Sequence, residues 1–262
     1  MAWDTRKFLI VVKTYPNPSA STNEAVCTAA VDENGALTRL FPIPFRTLAE
    51  GQRFKKWQWI RARVEKASDP RPESYKVDAT SIEVLDEIPS GKGWAKRWSL
   101  VEHLVSDSQE AVDASGATLG LIKPASYSLT FEDKREPKWT ADERQKLLGQ
   151  GAIDMFGSRV APQSLLHKIP VQIRYEFSCD GSCSHHQLFE DWEVGASWRN
   201  WNRRYRTRLM LEAAITNEYV DEPARRDNLY LWIGTHARWK SWLVIGHAQP
   251  TNLTSSLRLP LN

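Results

Sequence analysis

The chain has 262 residues, of which 35 are Lys or Arg and 32 are Asp or Glu, so its net charge is +3, and 41% of its residues are hydrophobic. This composition is that of a globular protein, and it excludes collagen, a coiled coil and a disordered chain. Three cysteines cannot all pair, the apolar run at 8–12 is too short for a signal peptide, and no stretch approaches a membrane span of roughly 20 apolar residues. We therefore expect a cytoplasmic, reduced protein with no membrane partner.

Twelve tryptophans, seven tyrosines and eight phenylalanines accompany basic stretches that the small net charge hides. Between residues 39 and 66, eight Lys or Arg residues stand against two Glu residues. DNA phosphates are attracted to such a stretch, and aromatic rings stack on bases, so this combination indicates a DNA partner. The alternative is that the tryptophans fill a core and the charge only keeps the chain in solution. The residues assigned to DNA from this stretch are Arg39, Arg46, Lys55 and Lys56.

The first third of the chain has the pattern of strands. The continuous apolar run at 8–12 predicts a buried strand that ends in a proline-rich loop. Residues 24–31 and 36–40 predict two further strands, and Asn34 and Gly35 between them supply the positive φ of a hairpin turn. A β-hairpin is therefore expected here.

A fourth strand is predicted at 57–64, where a core face alternates with a face that carries Trp57, Trp59 and two arginines. The pattern then changes to helical spacing at 94–104. A capping box at 140–143, Thr-Ala-Asp-Glu, predicts the start of another helix. Helices are thus expected to cluster in the middle of the chain.

Strands return in the last third. Residues 171–178 alternate strictly between apolar and polar, and a second short strand is predicted at 187–190. Apolar residues at helical spacing predict one long helix over 194–209. Residues 229–233 and 242–245 predict two closing strands.

These elements together predict the fold class. We expect a single α+β domain over 1–262, with a mixed, largely antiparallel β-sheet or a partly open barrel and a few helices. The helical segment at 90–165 is a possible subdivision of that domain. The sequence shows no internal repeat and no linker.

Zinc-type ligands crowd the turn between the strands at 171–178 and 187–190. Cys179, Cys183, His185 and His186 lie within eight residues, and His236 is a possible further ligand. Adjacent histidines in a strand point to opposite faces, so at most three of the first four share one ion, and we assign Cys179, Cys183 and His185. Two alternatives stay open, namely a hairpin tip with one functional histidine but no metal, and a turn with no role.

A row of arginines follows on the predicted long helix. Arg199, Arg203 and Arg206, here called the arginine triplet, lie at i, i+4 and i+7, where like charges repel one another. Few acidic partners offset them, so we assign the arginine triplet to DNA phosphates. The alternative is a solvated helix face.

Two carboxylates lie where a chain would hold a catalytic acid. Glu24 follows the proline-rich loop, and Asp191 lies at the junction of a strand and a helix, where the helix dipole keeps it ionised. Asp191 is equally suited to capping that helix. No P-loop, Rossmann glycine fingerprint, G-x-S-x-G, H-E-x-x-H or zinc-deaminase signature occurs.

Seven segments resemble a family of bacterial proteins. They are residues 13–19 (KTYPNPS), 24–29 (EAVCTA), 39–46 (RLFPIPFR), 54–60 (FKKWQWI), 69–75 (DPRPESY), the Cys/His turn with 191–193 (DWE), and 234–236 (GTH). Over most of its length the chain resembles the antiphage DNA glycosylases of bacterial defence islands, which excise glucosylated hydroxymethylcytosine from phage DNA.

The resemblance implies hydrolysis of an N-glycosidic bond after base flipping, with no required cofactor and at most a structural zinc. A carboxylate then stabilises the oxocarbenium-like sugar, for which Glu24 and Asp191 are the candidates. The base and sugar pocket is assigned to Tyr15, Trp57, Trp59, Arg71 and His236. The competing functions are a non-catalytic reader of modified bases and, third, a metal-dependent nuclease.

Overall fold

A computed structural model describes residues 2–16, 25–90, 94–144, 166–181, 183–237 and 239–251. The first half of the chain forms six strands, β1 (Asp4–Lys13), β2 (Val26–Asp32), β3 (Leu37–Ile43), β4 (Gln58–Lys66), β5 (Ser74–Val77) and β6 (Glu83–Glu87). Their order is β1-β2-β3-β5-β4-β6, and an additional antiparallel pairing of β1 with β4 makes a partly closed barrel of five strands. The predicted hairpin is β2–β3, with Gly35 at φ +82° in its turn.

Strand β1 is apolar without alternation because both of its faces are covered. Phe8 and Ile10 point into the barrel core, whereas Leu9 and Val11 belong to a second core on the outside of the barrel. The register of β1 against β2 shifts after Ile10, as at a β-bulge, and Val12 joins the same outer core as Val11. This irregularity leaves the next side chain, that of Lys13, on the barrel side.

Seven further strands lie in the described part of residues 105–248, namely β7 (Val105–Ser106), β8 (Leu119–Ile122), β9 (Ser126–Asp133), β10 (Val171–Ser178), β11 (His185–Leu188), β12 (Tyr230–Thr235) and β13 (Trp242–Ala248). They make two sheets, one ordered β11-β10-β9 and the other β13-β12-β8-β7. All pairings in them are antiparallel except β7 with β8. The predicted alternation of β10 is confirmed, because its apolar side chains are buried and its polar ones are not.

The helices are short. They are α1 (Ala95–Trp98), α2 (Gln109–Ala114), α3 (Trp192–Trp201), α4 (Arg208–Thr216) and α5 (Glu222–Arg226), with a π-helical turn at Asn217–Asp221. Helical residues 141–144 carry the predicted capping box, in which the Thr140 N–H donates to Glu143 Oε2 (2.8 Å) and the Glu143 N–H donates to Thr140 Oγ1 (3.2 Å). No helix in the described part of the chain has the length and hydrophobicity needed to cross a bilayer.

The outer core of the barrel is shared with the sheet β13-β12-β8-β7. Leu9 and Val11 of β1 pack in the same cluster as Trp232 of β12 and Ile245 of β13. An antiparallel bridge between Thr14 and Asp191 joins the end of β1 to the start of α3. The predicted class is therefore confirmed, an α+β domain that is mostly β, with a partly closed barrel and few helices.

Three predictions about elements are wrong. The segment 90–165 carries strands β7, β8 and β9, so it is not a helical unit. The long helix predicted over 194–209 is two helices, since α3 ends at Trp201 and Thr207 caps a new helix by accepting from the Met210 N–H. Trp57 precedes β4 with φ +63° and is buried, so it does not share an exposed face with the β4 arginines.

Candidate functional site

Asp191 lies at the centre of a buried polar cluster. Its side chain is 0% exposed, and it caps α3 because Oδ1 accepts from the Glu193 N–H at 2.9 Å. Its Oδ2 lies 3.0 Å from Nδ1 of His247 and 3.4 Å from Nζ of Lys56. The capping role that the sequence offered as an alternative is thus present, together with an ion pair and a hydrogen bond to a histidine.

Lys56 supplies the positive charge of this cluster. Its side chain is 9% exposed, and its Nζ also donates to Glu193 Oε2 at 2.9 Å. Burial by itself raises the pKa of Asp191, but the charge of Lys56 and the contact with His247 outweigh it and lower that pKa to about 2. Burial lowers the pKa of Lys56, but Asp191 and Glu193 outweigh it, so the net shift is upward. Both groups are therefore charged at neutral pH.

A second lysine lies close to the same carboxylates. Lys13 is buried, its Nζ donates to the Phe54 carbonyl at 3.1 Å, and it lies 4.1 Å from the centre of the Phe45 ring. Burial, partly opposed by Glu193, lowers the pKa of Lys13 to about 8. This amine consequently loses its proton more easily than an ordinary lysine.

One side of the cluster opens into a cleft of about 430 Å³. Glu193 and His247 form part of its wall, and their side chains are 3.9 Å apart (Oε2 to Nε2). Trp57 and Trp94 meet edge to face in the wall, with ring centres 5.0 Å apart. The remaining lining residues are Lys55, Lys56, Glu87, Arg97, Arg226, Gln249 and Thr251. The cleft wall thus combines aromatic and cationic groups with the Glu193 carboxylate and the His247 imidazole. Both of these residues contact the buried Asp191.

The two predicted catalytic carboxylates have different outcomes. Glu24 lies outside the described residues. Asp191 has no exposed surface, so it does not face the cleft directly, and it contacts the cleft only through Glu193, Lys56 and His247. Its placement is that of a residue that orients others.

The predicted pocket residues fall into separate places. Trp57 lines the cleft, whereas Tyr15 lines a smaller cavity of about 200 Å³ on another side of Asp191 and donates its hydroxyl to the His167 carbonyl at 2.6 Å. Trp59 is half-buried against the outer core of the barrel. These three side chains do not form one pocket.

Arg71 and His236 lie near each other, and neither residue lines the cleft or the cavity that contains Tyr15. Nη1 of Arg71 donates to the Thr235 carbonyl at 2.8 Å, and its other nitrogens bind Asp69. Nδ1 of His236 accepts from the Trp239 N–H at 3.2 Å. Their assignment to the base pocket is therefore not supported by the lining of the cleft.

The basic residues assigned to DNA divide by exposure. Arg39 is 1% exposed and binds Thr118 and Glu73, and the side chain of Lys56 is enclosed by its two carboxylates, so these two residues are structural rather than surface contacts. Lys55 is exposed, and Arg46 is half-buried. In the arginine triplet, the first member is half-buried on α3 and the other two are exposed in the segment between α3 and α4.

Among the residues that the structure describes, two groups of side chains could hold a metal ion. Cys179, Cys183 and His185 converge as predicted, and Glu110 of α2 joins them. His186 points the other way, toward Glu132 and Glu176 on β9 and β10, as expected for adjacent strand residues. The second group consists of Asp191, Glu193 and His247, where the Lys56 ammonium already neutralises the carboxylates.

Two residues of these groups, His247 and Glu110, were not predicted from the sequence. His247 lies two residues beyond the predicted end of the last strand, and its only signal is that it is a polar residue in a buried apolar run. Glu110 is the second residue of a short helix about 70 positions from the cysteines, and no local pattern connects it to them. Both are found only through the tertiary contacts.

A family model described as Domain of unknown function (DUF8757) matches residues 97–262, which is more than half of the chain. A second model, described as Domain of unknown function (DUF8758), matches residues 4–103. No curated protein matches the chain. The two models overlap over residues 97–103, which begin in α1 and follow the last strand paired to the barrel.

Proposed function

The chain belongs to the family described as Domain of unknown function (DUF8757), and we propose that it is a DNA glycosylase that hydrolyses the N-glycosidic bond of a modified base. The proposal rests on one observation, the pairing of Glu193 and His247 on the wall of a cleft, with both linked to buried Asp191. The sequence resemblance to antiphage glycosylases supplies the substrate class, a glucosylated base in phage DNA, and the role in antiviral defence.

Each member of the cluster has a chemical role in such a reaction. Breaking the bond between base and sugar creates positive charge on the sugar, and the Glu193 carboxylate, 45% exposed, stabilises that charge and orients a water molecule. His247 donates a proton through Nε2 to the departing base, while Asp191 holds its Nδ1. Lys56 keeps Asp191 ionised. Asp191 is then a positioning residue.

The walls of the cleft are suited to an extruded base. Its volume of about 430 Å³ lies within the range of ligand pockets, roughly 300–1,000 Å³. Trp94, half-buried, offers aromatic surface and is supported edge to face by Trp57, which is 3% exposed. The guanidinium of Arg97 lies 5.4 Å from the ring centre of each. Base-flipping enzymes hold the extruded base between such groups.

A surface suited to duplex DNA follows α3. Residues 202–210 are all exposed, and they include Arg203 and Arg206 together with Leu209 and Met210, which are 76% and 49% exposed. Proteins that distort DNA contact phosphates with arginines and insert apolar side chains between base steps. From Glu193 to Arg203 the chain advances on the order of 15 Å, by the rise of a helix. The DNA surface proposed here is thus connected to the cleft through α3.

The test is single-turnover release of free base from plain, hydroxymethylcytosine and glucosylated phage DNA, measured by mass spectrometry. The wild-type chain should release base from modified DNA with or without EDTA. Glu193→Gln should lower the rate on the order of 10³-fold and leave DNA affinity nearly unchanged. Glu87→Gln is the matched control, because Glu87 is a carboxylate of the same cleft that pairs with Lys55 at 2.9 Å instead.

Three results would contradict the proposal or its assignment of Glu193. DNA binding without release of base from any substrate would favour a non-catalytic reader. Strand cleavage that EDTA abolishes would favour a metal-dependent nuclease acting through the Asp191, Glu193 and His247 donors. Equal rates for Glu193→Gln and Glu87→Gln would remove Glu193 from the mechanism.

A further inference from the structure

We propose that Cys179, Cys183, His185 and Glu110 bind one structural zinc ion. One donor atom from each residue lies within 4.8 Å of the other three. A tetrahedral zinc ion separates its sulfur, nitrogen and oxygen ligands by roughly 3.3–3.8 Å. Nε2 of His185 and Oε1 of Glu110 are already 3.2 Å apart. The four groups therefore need to close by at most about an ångström around an ion of this size.

The fold brings the four ligands together from two elements. Cys179 follows β10 directly, Gly181 turns the chain with φ +87°, and His185 opens β11 opposite Phe177. Glu110 approaches from α2. An ion at this position therefore joins the β10–β11 hairpin to α2, in addition to the hydrogen bond between Gln187 and Gln109.

The donor set selects the metal. Two cysteine sulfurs and an imidazole are ligands typical of zinc, whereas calcium and magnesium require oxygen ligands. Backbone N–H groups also point at the sulfurs: that of Cys179 donates to Sγ of Cys183 at 3.4 Å, and that of Gln109 donates to the thiol of Cys179. Such bonds support metal-bound thiolates from outside the ligand shell.

The surroundings of His185 favour a ligand role for its inner nitrogen. Within the described ranges, Nε2 of His185 is buried without a hydrogen-bond partner, although Glu110 lies beside it. The other nitrogen, Nδ1, lies 3.4 Å from the side-chain amide of Gln109, which Gln187 contacts at 2.6 Å. In the structure the amide nitrogen of Gln109 faces Nδ1, while its oxygen accepts from the Gln187 amide. Exchanging oxygen and nitrogen in both amides, which leaves the heavy-atom positions unchanged, puts the ring proton at Nδ1 and frees the lone pair of Nε2 for an ion.

Four protein ligands leave no open position, so the site is structural. It does not touch the cleft and takes no part in base release. The zinc proposal can therefore hold or fail independently of the proposed glycosylase activity.

The test measures metal on the full chain purified without chelator. We expect close to one zinc per chain, and after replacement by cobalt we expect the intense visible absorption of a tetrahedral ion together with a thiolate-to-cobalt charge-transfer band. Cys183→Ser should lower zinc affinity by at least about 100-fold in competition with a chelator dye, and Glu110→Gln by about 10–100-fold. The exposed position of Glu110 lets this second variant fold normally.

Matched controls come from the same hairpin and from the barrel. His186→Ala removes the neighbouring histidine, and Cys27→Ser removes a cysteine of β2 outside the cluster, so both should bind zinc within twofold of the wild type. The proposal would be overturned if the purified chain held less than about a tenth of an equivalent of zinc and could not be reloaded with zinc under reducing conditions. Wild-type affinity in Glu110→Gln would overturn the assignment of the fourth ligand.

Discussion

Replacing Asp191 by Asn tests whether the buried cluster holds the two halves of the chain together. The amide keeps an oxygen for capping α3, but it removes the charge that faces Lys56 and His247. Lys56 then keeps Glu193, which is 45% exposed, as a countercharge, together with the His247 carbonyl at 3.4 Å. Breaking a buried ion pair by removing one partner costs about 3–5 kcal/mol, and the remaining carboxylate reduces this to roughly 2–4 kcal/mol.

The lowered pKa of Asp191 also makes the stability of the fold depend on pH. Its value of about 2 lies below the ordinary 3.8, so the folded chain binds the proton less tightly than the unfolded chain. The resulting stabilisation, about 2 kcal/mol, is fully present above pH 4 and is lost as the pH falls through 2. In Asp191→Asn this part of the acid dependence should be missing.

The assay is urea unfolding followed by tryptophan fluorescence at pH 7, on Asp191→Asn, Lys56→Met and the double variant. The double variant contains neither buried charge, so it should be more stable than the sum of the single changes predicts by roughly 2 kcal/mol. Thr207→Ala is the control for loss of a helix cap alone, because Thr207 caps α4 on the surface, and it should cost about 1 kcal/mol.

Additivity of the two single changes would refute the ion-pair reasoning. So would a cost for Asp191→Asn no larger than that of Thr207→Ala, since the aspartate would then act only as a cap. Retention of the pH 2–4 dependence in Asp191→Asn would show that other carboxylates cause it.

Three further results are expected. Burial lowers the pKa of Lys13 to about 8, so between pH 8 and 10 the unfolded chain holds this proton more tightly than the folded chain does. Wild-type stability to urea should therefore rise over that range. An equal rise in the stability of Lys13→Met would contradict this reasoning. Gly195→Ala should lower the Tm by several degrees, because its Cβ overlaps the tyrosine ring packed on α3, whereas Gly51→Ala, with open space around it, should not. Replacing the arginine triplet by Ala should flatten the slope of log DNA affinity against log salt by about 2–3 units, as measured by fluorescence anisotropy. An unchanged slope would show that the arginine triplet is a solvated surface.

Local patterns in the sequence were enough to predict many elements. The Asn34-Gly35 turn, the alternation of β10 and the capping box at Thr140 each depend on residues only a few positions apart. Their physics is that of backbone dihedrals, strand pleating and helix ends, which act within a single turn or strand. The convergence of Cys179, Cys183 and His185 is also local, since one hairpin carries all three.

The tertiary structure alone decided which charges are buried and which polar groups face one another. Lys56 and Asp191 are 135 positions apart, and each is stable inside the protein only because the other neutralises it. The number of basic residues around Lys56 predicted that it lies on a basic surface. The same reasoning did not identify His247 as the partner of Asp191, or Glu110 as the fourth donor beside the cysteines. Burial of a charge depends on countercharges from distant segments, and the sequence pattern around a residue contains no information about them.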